Sequence, residues 1–421
     1  MKSDHCSTGC PDEGKRLSLL QELSAPGGTG ENSFRQMRRL TRISRRSPAR
    51  MIHTLLLALS LFAVSALSGL AEADQTIAVA GPMTGLESAN GIDFTGGVEL
   101  AIDDINAKGG LLGQKLAYIT VDDACDPDQA EAAAQQIVSK PPAVVIGHSC
   151  SSCSIRAAPL YAKARILQIT PASTSPALTE MGIDTVFRML GRDDNQGRTI
   201  ARRLVAAWPH GRIAVLDDDS LYGKGLAGVV RSELESHGIT PPVDESFRSG
   251  AQSYDGIVRR MAAAKIEAVF IAAYDLDTAV IAREIAAAKL PIAILAGDAL
   301  IAPSFWEAAG EAGQAVIFTY PPNPLDLPAG KALIDLARQR GMELGGQAVL
   351  TYASVQVWAA AVQQAGSFDP VKVAAALHSG QFTTIIGQVR FDAKGDVLGA
   401  PGQWLWYRWH AGKIEHAPDA P

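Results

Sequence analysis

Two short segments hold the side chains most able to do chemistry. They are Gly147-His148-Ser149-Cys150-Ser151-Ser152 and, about twenty residues on, Ile169-Thr170-Pro171-Ala172-Ser173-Thr174. In each, an apolar stretch (Ala143–Ile146, then Ile166–Ile169) breaks into small hydroxyl residues and reads on toward a helix. Two such strand ends side by side aim Ser and Thr hydroxyls, together with helix-start N–H groups, at one point. That combination suits a small carboxylate.

Other arrangements that could carry chemistry fail on context. Gly223-Lys224-Gly225-Leu226-Ala227-Gly228 matches the dinucleotide string G-x-G-x-x-G. It does not follow directly on a strand, however, and Asp217, Asp218 and Asp219 precede it, where they repel a pyrophosphate. The string reads better as a helix start with glycines for close packing. Cys150-Ser151-Ser152-Cys153 is a C-x-x-C, a redox pair or half a metal site when taken alone, with His148 as a lone extra ligand. No second C-x-x-C, H-E-x-x-H, G-x-S-x-G or P-loop string occurs. Nothing here assigns a metal or a cofactor.

The elements that must position these groups alternate at short spacing. Thr76–Ala80 reads as a strand, and Gly96–Lys108 as a helix that Gly109-Gly110 stops. Strand Leu116–Val121 follows, then a helix opened by Asp126-Pro127, strand Ala143–Ile146, a helix over Ala157–Lys163, and strand Ile166–Ile169. After Asp193 the pattern restarts: helix Asn195–Ala207, strand Arg212–Leu216, helix Gly225–Ser236, strand Ala268–Ala273, helix Leu276–Ala288 and strand Ile292–Ala296. This βαβ alternation predicts an α/β chain with parallel sheets. A long helix is expected from about Ala348 to Gln364. The end is β-like: Gly387–Phe391, then Trp404-Leu405-Trp406-Tyr407-Arg408-Trp409, whose alternation fits a strand with one buried face better than a nucleic-acid stacking platform.

A chain of 421 residues is too long for one compact core and fits two α/β domains. Its first seventy residues differ from the rest. Seven Arg lie between Arg35 and Arg50, an apolar run covers Leu55 to Leu70, and Ala71-Glu72-Ala73 follows. These are the three parts of a secretory signal peptide; the apolar run of about sixteen residues is short for a membrane anchor. Residues 1–36 carry acids and two Cys and fit no signal peptide, so Met37 is the expected initiator. Without residues 1–73, 28 Lys/Arg face 38 Asp/Glu, a net charge of −10. That sign excludes nucleic acid or an anionic membrane surface as a partner. Three Cys remain (Cys125, Cys150 and Cys153), and export predicts one disulfide and one leftover thiol.

The residues also carry a family likeness. Asp122-Asp123-Ala124-Cys125-Asp126-Pro127, Gly147-His148 with Cys150-Ser151-Ser152, and Ile169-Thr170-Pro171-Ala172 with Thr174 closely resemble the leucine/isoleucine/valine-binding proteins, type I periplasmic receptors of ABC importers. Phe94-Thr95-Gly96, Asp104 to Gly110, and Tyr222-Gly223 with Gly225-Leu226-Ala227 are similar in the same way, and the likeness runs from about residue 75 to 410. The resemblance implies two Rossmann-like lobes joined by three crossings, one over 74–192 and 322–401, the other over 193–321 and 402–421. It implies a monomeric, non-enzymatic receptor that needs no cofactor, closes on an amino acid and delivers it to a membrane permease. Carried over by position, Ser151 and Thr174 hold the carboxylate, Ala172 offers its carbonyl to the ammonium, and Tyr222 and Tyr274 face the ligand from the second lobe. The acidic ammonium partner falls on Asp298, where the family usually has Glu, with Asp275 in reserve; Asn90, Ser149 and the adjacent Cys150 complete the ligand-facing positions.

The chain departs from the family at the ligand's side chain. Asn90 stands at an aromatic position, Ser149 at an apolar one, and a further aromatic position falls near Gln347. A pocket for Leu, Ile or Val wants apolar walls, since each buried unpaired polar group costs roughly 1–3 kcal/mol. Three readings follow: a receptor for a branched-chain or other neutral amino acid, the same fold holding another small polar solute such as an amide or carboxylate, or an exported redox or metal protein using Cys150 and Cys153. Cys125 and Cys150 both sit just after the ends of neighbouring expected strands. The predicted disulfide is therefore Cys125–Cys150 with Cys153 free, against a strained Cys150–Cys153 rival.

Overall fold

The computed structural model describes residues 75–417. The expected leader, residues 1–73, lies outside them. The first sheet contains β1 (Gln75–Gly81), β2 (Leu116–Asp122), β3 (Val144–Gly147), β4 (Gln168–Thr170) and β5 (Val186–Arg188). Its order is β2-β1-β3-β4-β5 and every pairing is parallel. Strands β3, β4 and β5 are buried at every residue. A parallel sheet covered by helices on both faces has that pattern, and it is why β3 reads as a continuous apolar run instead of an alternating one.

The second sheet is built from β6 (Ile213–Asp217), β7 (Val243–Ser246), β8 (Ala268–Ala272), β9 (Ala293–Ala296) and β10 (Val316–Tyr320). A small antiparallel sheet, β11 (Phe382–Thr384), β12 (Gly387–Phe391) and β13 (Val397–Leu398), stands apart. The chain then adds β14 (Leu405–His410) and β15 (Lys413–His416) to the second sheet, which runs β15-β14-β10-β9-β8-β6-β7. Strands β6 to β10 pair in parallel, as the βαβ alternation predicts, and the C-terminal strands add an antiparallel edge: β14 pairs antiparallel with β10 and β15 antiparallel with β14. For β14 and β15 the reason is local: Ala411 and Gly412, both at positive φ, form a two-residue turn, and such a turn can join only antiparallel strands.

The chain thus passes between the sheets three times: between β5 and β6, after β10, and between β13 and β14. After β10 it enters helices Pro328–Gln339 and Gly346–Ala365, whose Leu333, Val349 and Trp358 share a core with Ile77, Val144 and Phe187 of the first sheet. The crossings are tied to one another. The Trp404 indole N–H donates to the Arg192 carbonyl at 3.3 Å, and the Asn323 N–H donates to the Tyr407 hydroxyl at 3.0 Å.

The helix expected from Gly96 begins eight residues earlier and spans Ser88–Ala107. Gly91, Gly96 and Gly97 lower its intrinsic propensity, which hid its first turns. Packing decides instead: a Cβ on Gly97 would lie 2.5 Å from the Ala348 carbonyl oxygen, so the glycine lets this helix lie against Gly346–Ala365. The Gly223–Gly228 string lies inside helix Leu221–Ser236, and the Gly223 N–H donates to the hydroxyl of the N-cap Ser220. That first turn caps itself and leaves no phosphate cradle.

Helix Gly346–Ala365 starts at a glycine N-cap with no side chain to offer, and Asp93 supplies the cap from another element. Its Oδ1 accepts from the Gly345 N–H at 2.7 Å. Burial raises the Asp93 pKa from 3.8 to about 6, against the pull of the backbone N–H groups of Gly345, Ala348 and Gln347. The folded chain therefore holds this proton more tightly than the unfolded chain. The stability it contributes is complete below 3.8 and is lost as pH rises through about 6. Asp93→Asn keeps the acceptor and removes the titration. Between about pH 4 and about pH 7 the wild type should lose about 3 kcal/mol relative to this variant in denaturant unfolding. Parallel pH profiles would show that the carboxyl keeps its ordinary acidity.

Candidate ligand-binding site

The exits of β3 and β4 form one side of the site. Helix Ser151–Lys163 begins at the N-cap Cys150, which makes no side-chain capping bond. Its sulfur is joined to Cys125 (Cα–Cα 5.5 Å), and Cys153 is free and buried, as the strand-end argument expected. The bridge encloses a loop long enough to stabilise the fold by about 3 kcal/mol in the chain-entropy picture. It also removes the C-x-x-C couple, because Cys150 is bonded outside that motif. Burial raises the pKa of the Cys153 thiol, so it is not a poised nucleophile.

Hydroxyl bonds stitch the two exits together. Thr170 Oγ1 donates to the His148 carbonyl at 2.7 Å and accepts from the N–H groups of Ala172 and Ser173. Ser173 Oγ donates to the Ser149 carbonyl at 3.0 Å, and the Ser175 N–H donates to Ser151 Oγ at 3.3 Å. Behind them His148 is fully buried between Asp123 (Nδ1 to Oδ2, 2.5 Å) and Tyr161 (Nε2 to Oη, 2.9 Å). It braces the β3 exit and does not reach the site.

Arg188, at the end of β5, holds the β4 exit from below. It is fully buried; its Nε donates to Asp396 at 2.5 Å, and its Nη1 donates to the carbonyls of Ser173 (3.1 Å) and Ser175 (2.9 Å). Arg192, in the first crossing, donates to the same Asp396 at 2.9 Å. One carboxylate near the third crossing thus ties down the binding loop and the first crossing together.

The second sheet supplies the other side. Tyr222 stands in the first turn of helix Leu221–Ser236, and Tyr274 caps helix Asp275–Ala287; their rings lie 5.3 Å apart. Asp298 follows β9. Its Oδ1 accepts from the Tyr222 hydroxyl at 2.9 Å and from Gln196 Nε2 at 3.0 Å, so Oδ2 has no side-chain donor. Gly297 makes this possible: a Cβ there would sit 2.4 Å from the Tyr222 hydroxyl oxygen.

These groups meet around one small cavity of about 40 Å³. Ser149, Ser151, Ala172, Thr174 and Asn90 line it from the first sheet's side, and Tyr222, Tyr274 and Asp298 from the second. Gln347 lines it too. Cys150 does not: its sulfur packs with Ala130, Cys153 and Tyr274 behind the wall. Asp275, the reserve acid, also stays outside the cavity, where it accepts from the Ser304 hydroxyl.

Sequence reasoning missed Tyr320, Ile301 and Ala299 in the wall and Asp193 behind it. Asp193 opens helix Asp193–Ala207, is fully buried, and neither carboxylate oxygen meets the geometry of a hydrogen bond. Burial first, then the charge of Asp298, raises its pKa well above the ordinary value; nearby Thr174 and Arg188 pull it back. Asp298 is raised by burial as well, against the hydrogen bonds from Gln196 and Tyr222. Two buried carboxylates that repel each other make this side of the cavity a place for a cation. The one local signal for Asp193 was an acid in a helix's first turn, which more often serves the helix dipole.

Chemically, the arrangement can take an anion and a cation a few bonds apart, hydroxyls on one sheet and a carboxylate on the other. Known proteins share the whole frame. The sequence pattern of the periplasmic binding protein family matches residues 74–408. An amino acid binding protein of Pseudomonas aeruginosa is 35% identical over 86% of this chain and 98% of its own length. A Leu/Ile/Val-binding protein of Rhizobium johnstonii is 32% identical over 84% of this chain and 97% of its own. The crystal structure of a leucine binding protein from Thermotoga maritima superposes with a TM-score of 0.74 at 26% identity, covering 82% of this chain and 97% of that one. A match across both sheets and all three crossings, with relatives covered almost end to end, places this chain in the periplasmic binding protein family.

Proposed function

We propose that this protein is the substrate-binding component of an ABC importer and captures a branched-chain or other neutral α-amino acid between two closing lobes. The observation that carries this reading is the small cavity lined from both sheets, with Ser151 and Thr174 on one side and Asp298 on the other. Ser151 and Thr174 bind the carboxylate, the Ala172 carbonyl and Asp298 bind the ammonium, and Tyr222 and Tyr274 cover it. The lobes divide at 74–192 with 322–401 against 193–321 with 402–421. Neither lobe satisfies a zwitterion alone, so the ligand docks on the first and stabilises closure by the second. The protein acts in the periplasm after loss of its leader near Ala73, as a monomer without catalytic activity, and hands its ligand to a membrane permease. The names of the relatives support the amino-acid class.

Two measurements test this. Ser151→Ala and Thr174→Val should each weaken binding about ten- to a hundredfold by calorimetry, the worth of one charge-assisted hydrogen bond. In X-ray scattering, α-amino acids should reduce the radius of gyration and their deaminated analogues should not, because Asp298 would be left buried without a counter-charge. Equal compaction by a deaminated acid would establish a receptor for a different solute on the same fold.

A further inference from the structure

The small cavity does not end at the α-carbon groups. Asn90, Ile301 and Gln347 also line a second cavity of about 290 Å³, so these three residues stand where the two adjoin, here called the neck. Asp93 and Ser304 stand farther in along the larger cavity, and the charged Glu307, Arg338 and Glu343 are exposed at its mouth. Water screens those outer charges; the neck does the discriminating.

Two side-chain amides flank the neck, and each is engaged at one end only. Gln347 Oε1 accepts from the Tyr320 hydroxyl at 3.1 Å, which leaves the Gln347 NH₂ group as a donor. Asn90 Nδ2 donates to Glu87 Oε2 at 3.1 Å, which leaves Asn90 Oδ1 as an acceptor. Glu87 and Gln347 are both buried. A hydrocarbon side chain in the neck would desolvate one donor and one acceptor with nothing in return. A cationic end brings donors only and a carboxylate brings acceptors only, so each leaves one wall unpaired. The carboxylate also meets the acids Asp93 and Glu87. A carboxamide has the matching pair, a carbonyl for Gln347 and an NH₂ group for Asn90.

We infer that the bound amino acid has a side chain ending in a carboxamide, as glutamine does, held in the neck between Gln347 and Asn90. This inference rests on the amino-acid reading of the site. Calorimetric titration of the purified protein with glutamine, norleucine, leucine, lysine and glutamate tests it. Glutamine should bind about tenfold or more tightly than norleucine, which has similar length and no polar end. Gln347→Leu and Asn90→Leu should each shift the glutamine-to-norleucine affinity ratio toward norleucine by about tenfold. Norleucine or leucine binding as tightly as glutamine, lysine binding more tightly, or an unchanged ratio in folded variants would overturn the inference. The panel on the wild-type protein decides the matter even if a variant does not fold. If amino acids bind with no advantage for the amide, only the carboxamide inference fails; if no α-amino acid binds, the reading of the site fails with it.

Discussion

Asp298→Asn is expected to lower amino-acid affinity by about a hundred- to a thousandfold while making the ligand-free protein more stable. The asparagine carbonyl can still accept from Tyr222 and Gln196, which both bond Oδ1 in the wild type. What changes is the other atom. An NH₂ group replaces Oδ2, so a donor faces the ligand's ammonium where an anion stood. Loss of a charge-assisted bond together with a donor–donor clash amounts to about 3–4 kcal/mol, which is the stated loss in affinity. In the empty cleft the same substitution removes the charge that raises the pKa of Asp193. Relieving that repulsion should raise the unfolding temperature of the unliganded variant. Calorimetry and thermal unfolding on one preparation check both halves. Wild-type affinity would show that Asp298 does not hold the ammonium, and a lower unfolding temperature would show that the two acids are not in conflict.

Arg188→Met should have the largest effect on stability. The guanidinium is fully buried and bonds Asp396, the Thr179 hydroxyl and two backbone carbonyls of the β4 exit. Methionine fills part of the volume but leaves the Ser173 carbonyl without its donor, the Ser175 carbonyl with the Leu178 N–H alone, and Asp396 with Arg192 and the Thr179 hydroxyl. Breaking a buried pair from one side costs about 3 kcal/mol or more. Removing the other charge as well, with Asp396→Asn, should recover part of the loss, so the double variant should be more stable than the sum of the single changes. The Ser173 and Ser175 carbonyls belong to the loop that carries Thr174, so affinity should fall in Arg188→Met beyond what a distant destabilising change produces. Strict additivity in denaturant unfolding, with unaltered ligand affinity, would reduce Arg188 to an ordinary core residue.

Local chemistry made much of this protein legible before its fold was known. The apolar runs of β1, β3, β6 and β8 are buried on both faces of parallel sheets, and a run of that kind reads as a strand wherever it stands. Asp126-Pro127 is a helix start on its own terms, and the Asp126 side chain accepts from the N–H groups of Asp128 and Gln129. The cysteine pairing was readable because both residues follow the ends of strands separated by β1 alone. Short polar elements were not readable: β5, Val186-Phe187-Arg188, and β7, Val243–Ser246 with its two acids and a serine, have no apolar run to mark them. The β14–β15 hairpin adds an antiparallel edge to a sheet whose βαβ strands are parallel.

Within the site, the sequence could place hydroxyls at strand ends and, through family likeness, an acid at Asp298. It could not show that Gln196 reaches 102 residues along the chain to brace that acid, because each partner is unremarkable in its own segment. Asp193 is an ordinary first-turn acid until the second sheet closes over it; only then is it a buried acid facing Asp298. Asn90 and Gln347 were legible as polar residues at positions expected to be apolar. Which end of each amide is engaged was set by Glu87 and Tyr320, the second of which arrives from the other sheet. Residue type and spacing determine the donors and acceptors a chain carries. Only the tertiary structure decides which of them remain unpaired, because burial and partners are properties of elements brought together from distant parts of the chain.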